Sequence, residues 1–439
     1  MKSRKNNNLA SILQILFLLI GAVVVAIYIL PSSPSTQRSN SPSSQKQAAT
    51  SQDSLHPDTA KERPVDGAKQ EPDLTVHKEG LYQRAATLYA LSGADAIHLL
   101  DHRGKSIHTW PLDATRARLM PDCSLLVVHG SKYGLRKKKW RELKYVIRRY
   151  GWNGDILWEK KSENWFHHDI HELSNGNILT LERLELPFPE KHPFKPKIAE
   201  KSVFRSDAIV EIDPSGETVW RWDAHEHLDT VSCGWNGCEK SRKKKGGEFV
   251  WDWTHTNTAQ PLGPNRHFAA GDLRFHPSNI FILPRNFWTA YLIDRDSGQV
   301  VWTYEGEPKD GKLAEGMVRG HEAHMIPEGL PGAGNVLILD NGYPGHREYS
   351  KVLEVDPQTN ETVWKYEKQG EFFTYGGGSV QRLSSGNTFI SEDTTGRAFE
   401  VTPEGEIVWE VRGNYRISRA HRYPYDYCGE LEKLNPDQG

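Results

Sequence analysis

Six hairpins, each closing on an apolar–tryptophan pair, constrain this chain more than any other feature. Their strand ends read SIHTWPL (Trp110), NGDILWEK (Trp158), SGETVWRW (Trp220), SGQVVWTY (Trp302), TNETVWKY (Trp364) and EGEIVWEV (Trp409). Most follow a strand that runs into an Asp/Pro/Gly turn, as in IVEIDPSG, AYLIDRDSG and VLEVDPQTN, the composition of a tight hairpin turn. The tryptophans lie 48, 62, 82, 62 and 45 residues apart, so the basic unit has the shortest of these lengths and the others carry insertions. A unit of that length holds four short strands, which is the size of a propeller blade. Six marks predict an all-β fold, a six-bladed β-propeller. A sandwich or a solenoid gives no reason for six matching hairpins.

The start of the chain reads as a membrane anchor. Lys2, Arg4 and Lys5 lie in a basic flank, residues 1–8, and residues 9–30 run without a charge. Twenty-two helical residues reach roughly 33 Å, enough for a hydrocarbon core of about 30 Å. A cleaved signal peptide is the rival, but the small-residue cleavage pattern is not evident. The flank is expected on the cytoplasmic side and the rest of the chain on the extracytoplasmic, periplasmic side. Residues 31–75 are polar and Ser/Pro-rich and read as a disordered linker. The propeller is assigned to 76–428 and a tail to 429–439. Net charge is −2, so no global field draws this chain to nucleic acid. In an exported chain the four cysteines are available for pairing. Cys233 and Cys238 sit close together in CGWNGC. Cys123 and Cys428 pair only if the fold joins distant parts of the chain, and free buried thiols are the alternative.

A second repeat places histidines. HDIHELSNGNILTL, GHEAHMIPEGLPGAGNVLIL and GSVQRLSSGNTFI share a strand, a Gly-Asn turn and an apolar strand. Aligned on the residue before each turn, His168 lies five positions before Leu173, Asn257 five before Leu262, and His321 five before Ile326. These fall in the second, third and fourth intervals between tryptophans. The fifth has Gly378 in that slot, which leaves room. His255 is two residues before Asn257 and, by strand alternation, faces the same way. Three units therefore aim imidazoles and an amide at one level of one channel. The same alternation turns His171 and His324 away, as packing or hydrogen-bonding residues. HxxH gathers metal ligands on a helix, not on a strand, so no metal set is assigned. Arg285 precedes a strand in the same unit as His255, and a fixed guanidinium suits sulfate, phosphate or carboxylate. Arg274 is a weaker candidate. The basic runs at 136–139 and 240–248 read as solvated loops, and the insertions 183–205 and 223–252 as a rim or lid.

HHDIHELSNGNILTL, DWTHTNTAQPL, PRNFWTAYLID and GHEAHMIPEGLPGAGNVLILDNG resemble, in that order, motifs of the arylsulfate sulfotransferase family of bacterial periplasmic propellers. The resemblance covers roughly residues 88–412. It implies transfer of a sulfuryl group from a phenolic sulfate ester to a phenol, with neither a nucleotide donor nor a cofactor. Carried over position by position, His321 corresponds to the nucleophile, which is transiently sulfated. His168, His255, Asn257 and Arg285 correspond to the group that holds the sulfate and phenolic oxygens. Glu322 follows His321 where the family pattern suggests Asp, and the polar stretch before the propeller leaves no N-terminal β-domain of the kind some members carry. Two other classes stay open on the residues alone. The channel histidines could ligate iron or zinc, or a tethered propeller could bind without catalysis. Hydrolysis replaces transfer if water takes the place of the phenol.

Overall fold

The computed structural model describes residues 71–192, 202–235, 237–238, 242–245, 248–305 and 317–437. Within them the chain forms six sheets, antiparallel but for one added pair, arranged as the blades of a propeller. Blades two to six each take four consecutive strands, whose first strands begin at Arg116–Leu119, Trp165–Glu172, Thr256–Pro261, Gly320–Met325 and Ser379–Arg382. First strands of neighbouring blades pack on one another around the axis. Blade one is composite. Ala86–Leu91, Ala96–Leu100 and Ser106–Trp110 are joined by His421–Tyr423 from the far end of the chain. Blade six gains a fifth strand from afar, Asp73–His77, paired with Ile407–Arg412.

The tryptophan mark has a physical cause. Each marked indole sits on the fourth strand of its blade and donates its N–H to a turn carbonyl of the next blade. Trp110 donates to Gly151 at 3.3 Å, Trp158 to Pro214 at 3.1 Å, and Trp220 to Arg295 at 3.1 Å. Trp302 donates to Pro357 at 3.0 Å and Trp364 to Pro403 at 2.7 Å. Trp409 closes the circle on His102 at 2.7 Å. An indole spans the gap with its apolar body and gives its one donor to a turn carbonyl. The repeat is therefore a ring of staples between neighbours.

Both cysteine pairs are bridged, Cys123 to Cys428 and Cys233 to Cys238. The first ties the opening hairpin of blade two to the segment after the closing strand, where Gly429–Lys433 forms a short helix that buries Leu431. The insertions enlarge blade three with regular structure. Ile178–Leu186 and Val203–Ile212 pair over nine residues, and the hairpin Arg242–Lys245 with Glu248–Asp252 joins Val203–Ile212 in parallel. The basic runs differ from the loops expected of them. Part of one is this edge strand, and part of the other enters the helix Lys138–Glu142. The anchor expected at 9–30 and most of the linker expected at 31–75 lie outside the described residues; residues 73–75 are not linker but part of the strand Asp73–His77. Among the described residues no helix is long and apolar enough to cross a membrane.

Candidate active site

The site lies where the first strands of blades three, four and five bulge. In blade three the pairing slips between Thr180, opposite Ile170, and Leu181, opposite His167, leaving His168 and Asp169 out of step. In blade four it slips between Thr256 and Ala259, around Asn257. In blade five it slips between Gly320 and Glu322, at His321. A bulge re-aims the side chain it carries. Backbone strain collects at the same places. His168, His255, Arg319 and Arg419 all have left-handed φ, at 59°, 49°, 58° and 48°, a conformation costly for residues with a side chain.

These devices bring the five expected residues together. The His168 ring centre lies 5.1 Å from that of His255 and 6.1 Å from that of His321. The Asn257 amide donates to His321 Nδ1 at 3.0 Å and to the Gly320 carbonyl at 3.2 Å. His255 Nδ1 is 2.6 Å from Asp252 Oδ2, and Arg285 Nη2 lies 3.8 Å from the same oxygen. His255 reaches the site through its left-handed backbone, because it precedes the strand whose alternation was expected to place it.

Several partners were not legible. The Gly377 N–H donates to His321 Nδ1 at 3.3 Å. Gly378 makes room for its own surroundings: an added Cβ would stand 2.5 Å from Leu339 Cδ2 and 2.8 Å from the Ser391 carbonyl. Arg419 spans the site from behind, donating to the Asn257 carbonyl at 2.5 Å and the His321 carbonyl at 3.2 Å. His168 Nδ1 meets His167 Nδ1 at 2.7 Å, and His167 Nε2 lies 3.2 Å from Asp207. The doublet His167–His168, and Asp252 three residues before His255, were the available signals. Arg419 gave none, because it arrives on the closing segment.

The protonation pattern follows from the partners. Both donors to His321 Nδ1 fix that nitrogen as an acceptor, so the neutral ring carries its hydrogen on Nε2. Burial, and then Arg419, Arg285 and Arg416, hold His321 far below the usual imidazole range. Burial, then His167, His255 and His321, do the same to His168. Burial pushes the Asp207 carboxyl up, but His167, Arg183 and the Thr256 N–H together outweigh it and leave the group below its ordinary value. Burial, then Arg319, pushes Arg285 down to about 9. The centre is thus two neutral imidazoles beside a buried guanidinium, a setting made for an oxyanion.

His171 and His324 do stay out of this group. They belong to a second polar layer on the first strands, with Arg116, Arg118, Asp169, Glu322 and His421. His171 Nε2 lies 2.6 Å from Arg118, and His324 Nδ1 3.7 Å from Glu322. Arg274 is not in the channel. It lies half-exposed at the surface against Asp272, at 2.7 Å. Among the described residues, one group of three side chains is spaced to share a metal ion, His192 with Cys233 and Cys238, and those thiols are joined in a disulfide.

The sequence profile of the arylsulfotransferase (ASST) family matches residues 146–414. No curated protein matches the chain. Among solved structures, similarity is found to a protein of unknown function from Bacteroides caccae, with 11% identity and a TM-score of 0.46, covering 77% of this chain and 99% of that one. A virginiamycin B lyase from Staphylococcus aureus matches with 11% identity and a TM-score of 0.38, over 81% of this chain and 89% of its own. BamB from Moraxella catarrhalis matches with 11% identity and a TM-score of 0.33, over 80% and 83%.

Proposed function

The chain belongs to the arylsulfotransferase family, and from that premise we propose that it moves a sulfuryl group from a phenolic sulfate ester to a phenol through a sulfated His321. One observation carries the reading. His321 is buried and neutral, with Nδ1 engaged by two donors and no hydrogen bond to Nε2 among the described residues.

Nε2 bears the ring hydrogen and has no free in-plane lone pair until a base takes that hydrogen; as it leaves, attack by Nε2 on sulfur forms an N–S bond and breaks the bond from sulfur to the phenolic oxygen. Nε2 loses its hydrogen in that step. The proton passes to the pair His168–His255 and is returned to the departing phenolate, so the products are a phenol and a neutral sulfohistidine. Asp252 supports the transient imidazolium at His255, and Asp207, through His167, supports the one at His168. The second half reverses the first. The acceptor phenol gives up its proton to the same pair and attacks the sulfohistidine. Arg285 balances the charge of the sulfate oxygens, whose geometry in flight makes the same demands as a phosphoryl group. Asn257 and the Gly377 N–H keep the imidazole in line for attack.

The two disulfides favour placing the propeller outside the cytoplasm, in the oxidising compartment where such bonds persist, tethered by the helix expected at residues 9–30. The experiment is to expose the protein to an aryl sulfate with no acceptor and map the labile adduct by mass spectrometry. One sulfate on His321 is expected, absent in His321→Ala together with all transfer. Undiminished transfer by that variant would remove the histidine from its role.

A further inference from the structure

Two guanidinium groups beside this site have no carboxylate within ion-pair distance among the described residues. The chain as a whole is slightly acidic, with a formal net charge of −2, yet Arg183, Arg285 and Arg319 crowd around the His168–His255–His321 group. Asp252 is taken by His255 and Arg285, and Asp207 by His167. Arg183 and Arg319 have no ion-pair partner among the described residues. Arg183 is only 9% exposed, and its Nε has no hydrogen-bond acceptor.

Both guanidiniums are fixed in place. Arg183 stands opposite Trp165 across two paired strands, two residues beyond the partner of His167, and lies over the Trp165 ring at 4.5 Å. Lys144 lies over that ring too, at 4.5 Å. Arg319 is two residues before His321, in left-handed backbone, and lies over the Tyr343 ring at 4.8 Å. Both act on Arg285, which burial, then Arg319, with Arg183 adding to it, push down against Asp252 and Asp207. Asp207 acts on Arg183 and Asp252 on Arg319 from beyond ion-pair distance, and a guanidinium kept from water without a contact anion is unfavourable. A sulfate ester held at Arg285 leaves the other two without a contact anion.

We propose that the aryl group handled here bears a second anion, a carboxylate or a further sulfate, which is met by Arg183 and Arg319. The inference rests on the sulfuryl-transfer reading and specifies its substrate class. Donor and acceptor take the same place in turn at one histidine, so the preference extends to both.

The test compares two donors of equal shape, 3-carboxyphenyl sulfate and 3-carbamoylphenyl sulfate, with phenol as the common acceptor and the full chain as catalyst. The carboxylate is expected to show the higher kcat/KM, by about tenfold or more, with the difference mostly in KM, as for charge-assisted contacts in a dry site. In Arg183→Gln and Arg319→Gln the ratio between the two donors falls towards one. Equal use of both donors by the natural chain, or a ratio that neither substitution changes, overturns the inference and leaves transfer standing. Failure of both donors to react, with no adduct on His321, overturns transfer and this inference with it.

Discussion

At the residue scale, the direction in which His321 is held decides what the site does with protons. Two donors on Nδ1 leave the reactive nitrogen as an N–H, so attack requires a neighbour able to accept that hydrogen. His168 has this capacity because burial and nearby cations keep it unprotonated. The sign of the pH dependence follows. The active form has both imidazoles neutral, and both lie well below the ordinary value of 6.5. Transfer, followed as kcat/KM, is expected to stay level as pH falls from 8 through 6.5 and to decline only in more acid solution. An acid limb centred near 6.5 would show that an ordinary, solvated histidine governs the reaction. Asn257→Ala removes one of the two Nδ1 donors and the brace on the Gly320 carbonyl. A fall in transfer of about a hundred- to a thousandfold is expected, the usual cost of one preorganised donor. Aryl sulfate turnover measures it, and a loss below about tenfold would show that Gly377 alone suffices.

At the element scale, the irregular places in the first strands matter more than the regular ones. The sequence was legible where the fold repeats: six tryptophan hairpins gave six blades, and the shared position of His168, Asn257 and His321 gave one level of one channel. Reading failed where a strand departs from period two. His255 was assigned its direction by alternation, but it lies before the strand in left-handed backbone. Asp207 is not legible because nothing local marks a carboxylate as the partner of a distant imidazole, while Asp252 and His167 stand beside His255 and His168 in sequence but carry no mark of the repeat. Gly378 leaves room in the sequence pattern, whereas the space is filled by Leu339 and the Ser391 carbonyl, and the neighbouring Gly377 supplies a donor. Gly377 has φ 86°, and an added Cβ would stand 2.7 Å from Asp393 Oδ2 and 2.8 Å from Arg416 Nη2. Gly377→Ala must therefore shift the turn that aims its N–H at His321. The expected result is a loss of transfer of at least about tenfold with a Tm lowered by only a few degrees. If activity is kept and only Tm falls, the N–H is not a working donor.

At the scale of the whole molecule, the problem is to close a ring whose first and last blades come from opposite ends of the chain. Four devices meet near that seam: the strand His421–Tyr423 in blade one, the strand Asp73–His77 on blade six, the Trp409 indole on the His102 carbonyl, and the Cys123–Cys428 bridge. Arg419 lies on the same closing segment, so sealing the ring also seats a residue against the backs of Asn257 and His321. The two disulfides then have different work. Cys123–Cys428 spans 305 residues and Cys233–Cys238 only 5, so on chain entropy their removal costs roughly 6 and roughly 2 kcal/mol at most. The short bridge has a local task instead. Its loop presses Gly234 so close to Phe287 that a Cβ would come within 2.5 Å of the Phe287 Cα, and the Trp235 N–H donates to the Phe287 carbonyl at 3.3 Å. Phe287 ends the short turn that begins with Arg285. Replacing Cys123 and Cys428 together by serine is expected to lower Tm by much more than replacing Cys233 and Cys238, while the second change lowers transfer more at a temperature where both variants are folded. Thermal melts and aryl sulfate turnover on the two double variants decide it. Equal losses of Tm would mean that the closing strand and the indole staple hold the ring without the long bridge. Unchanged turnover in the second variant would mean that the Arg285 turn stands without its loop.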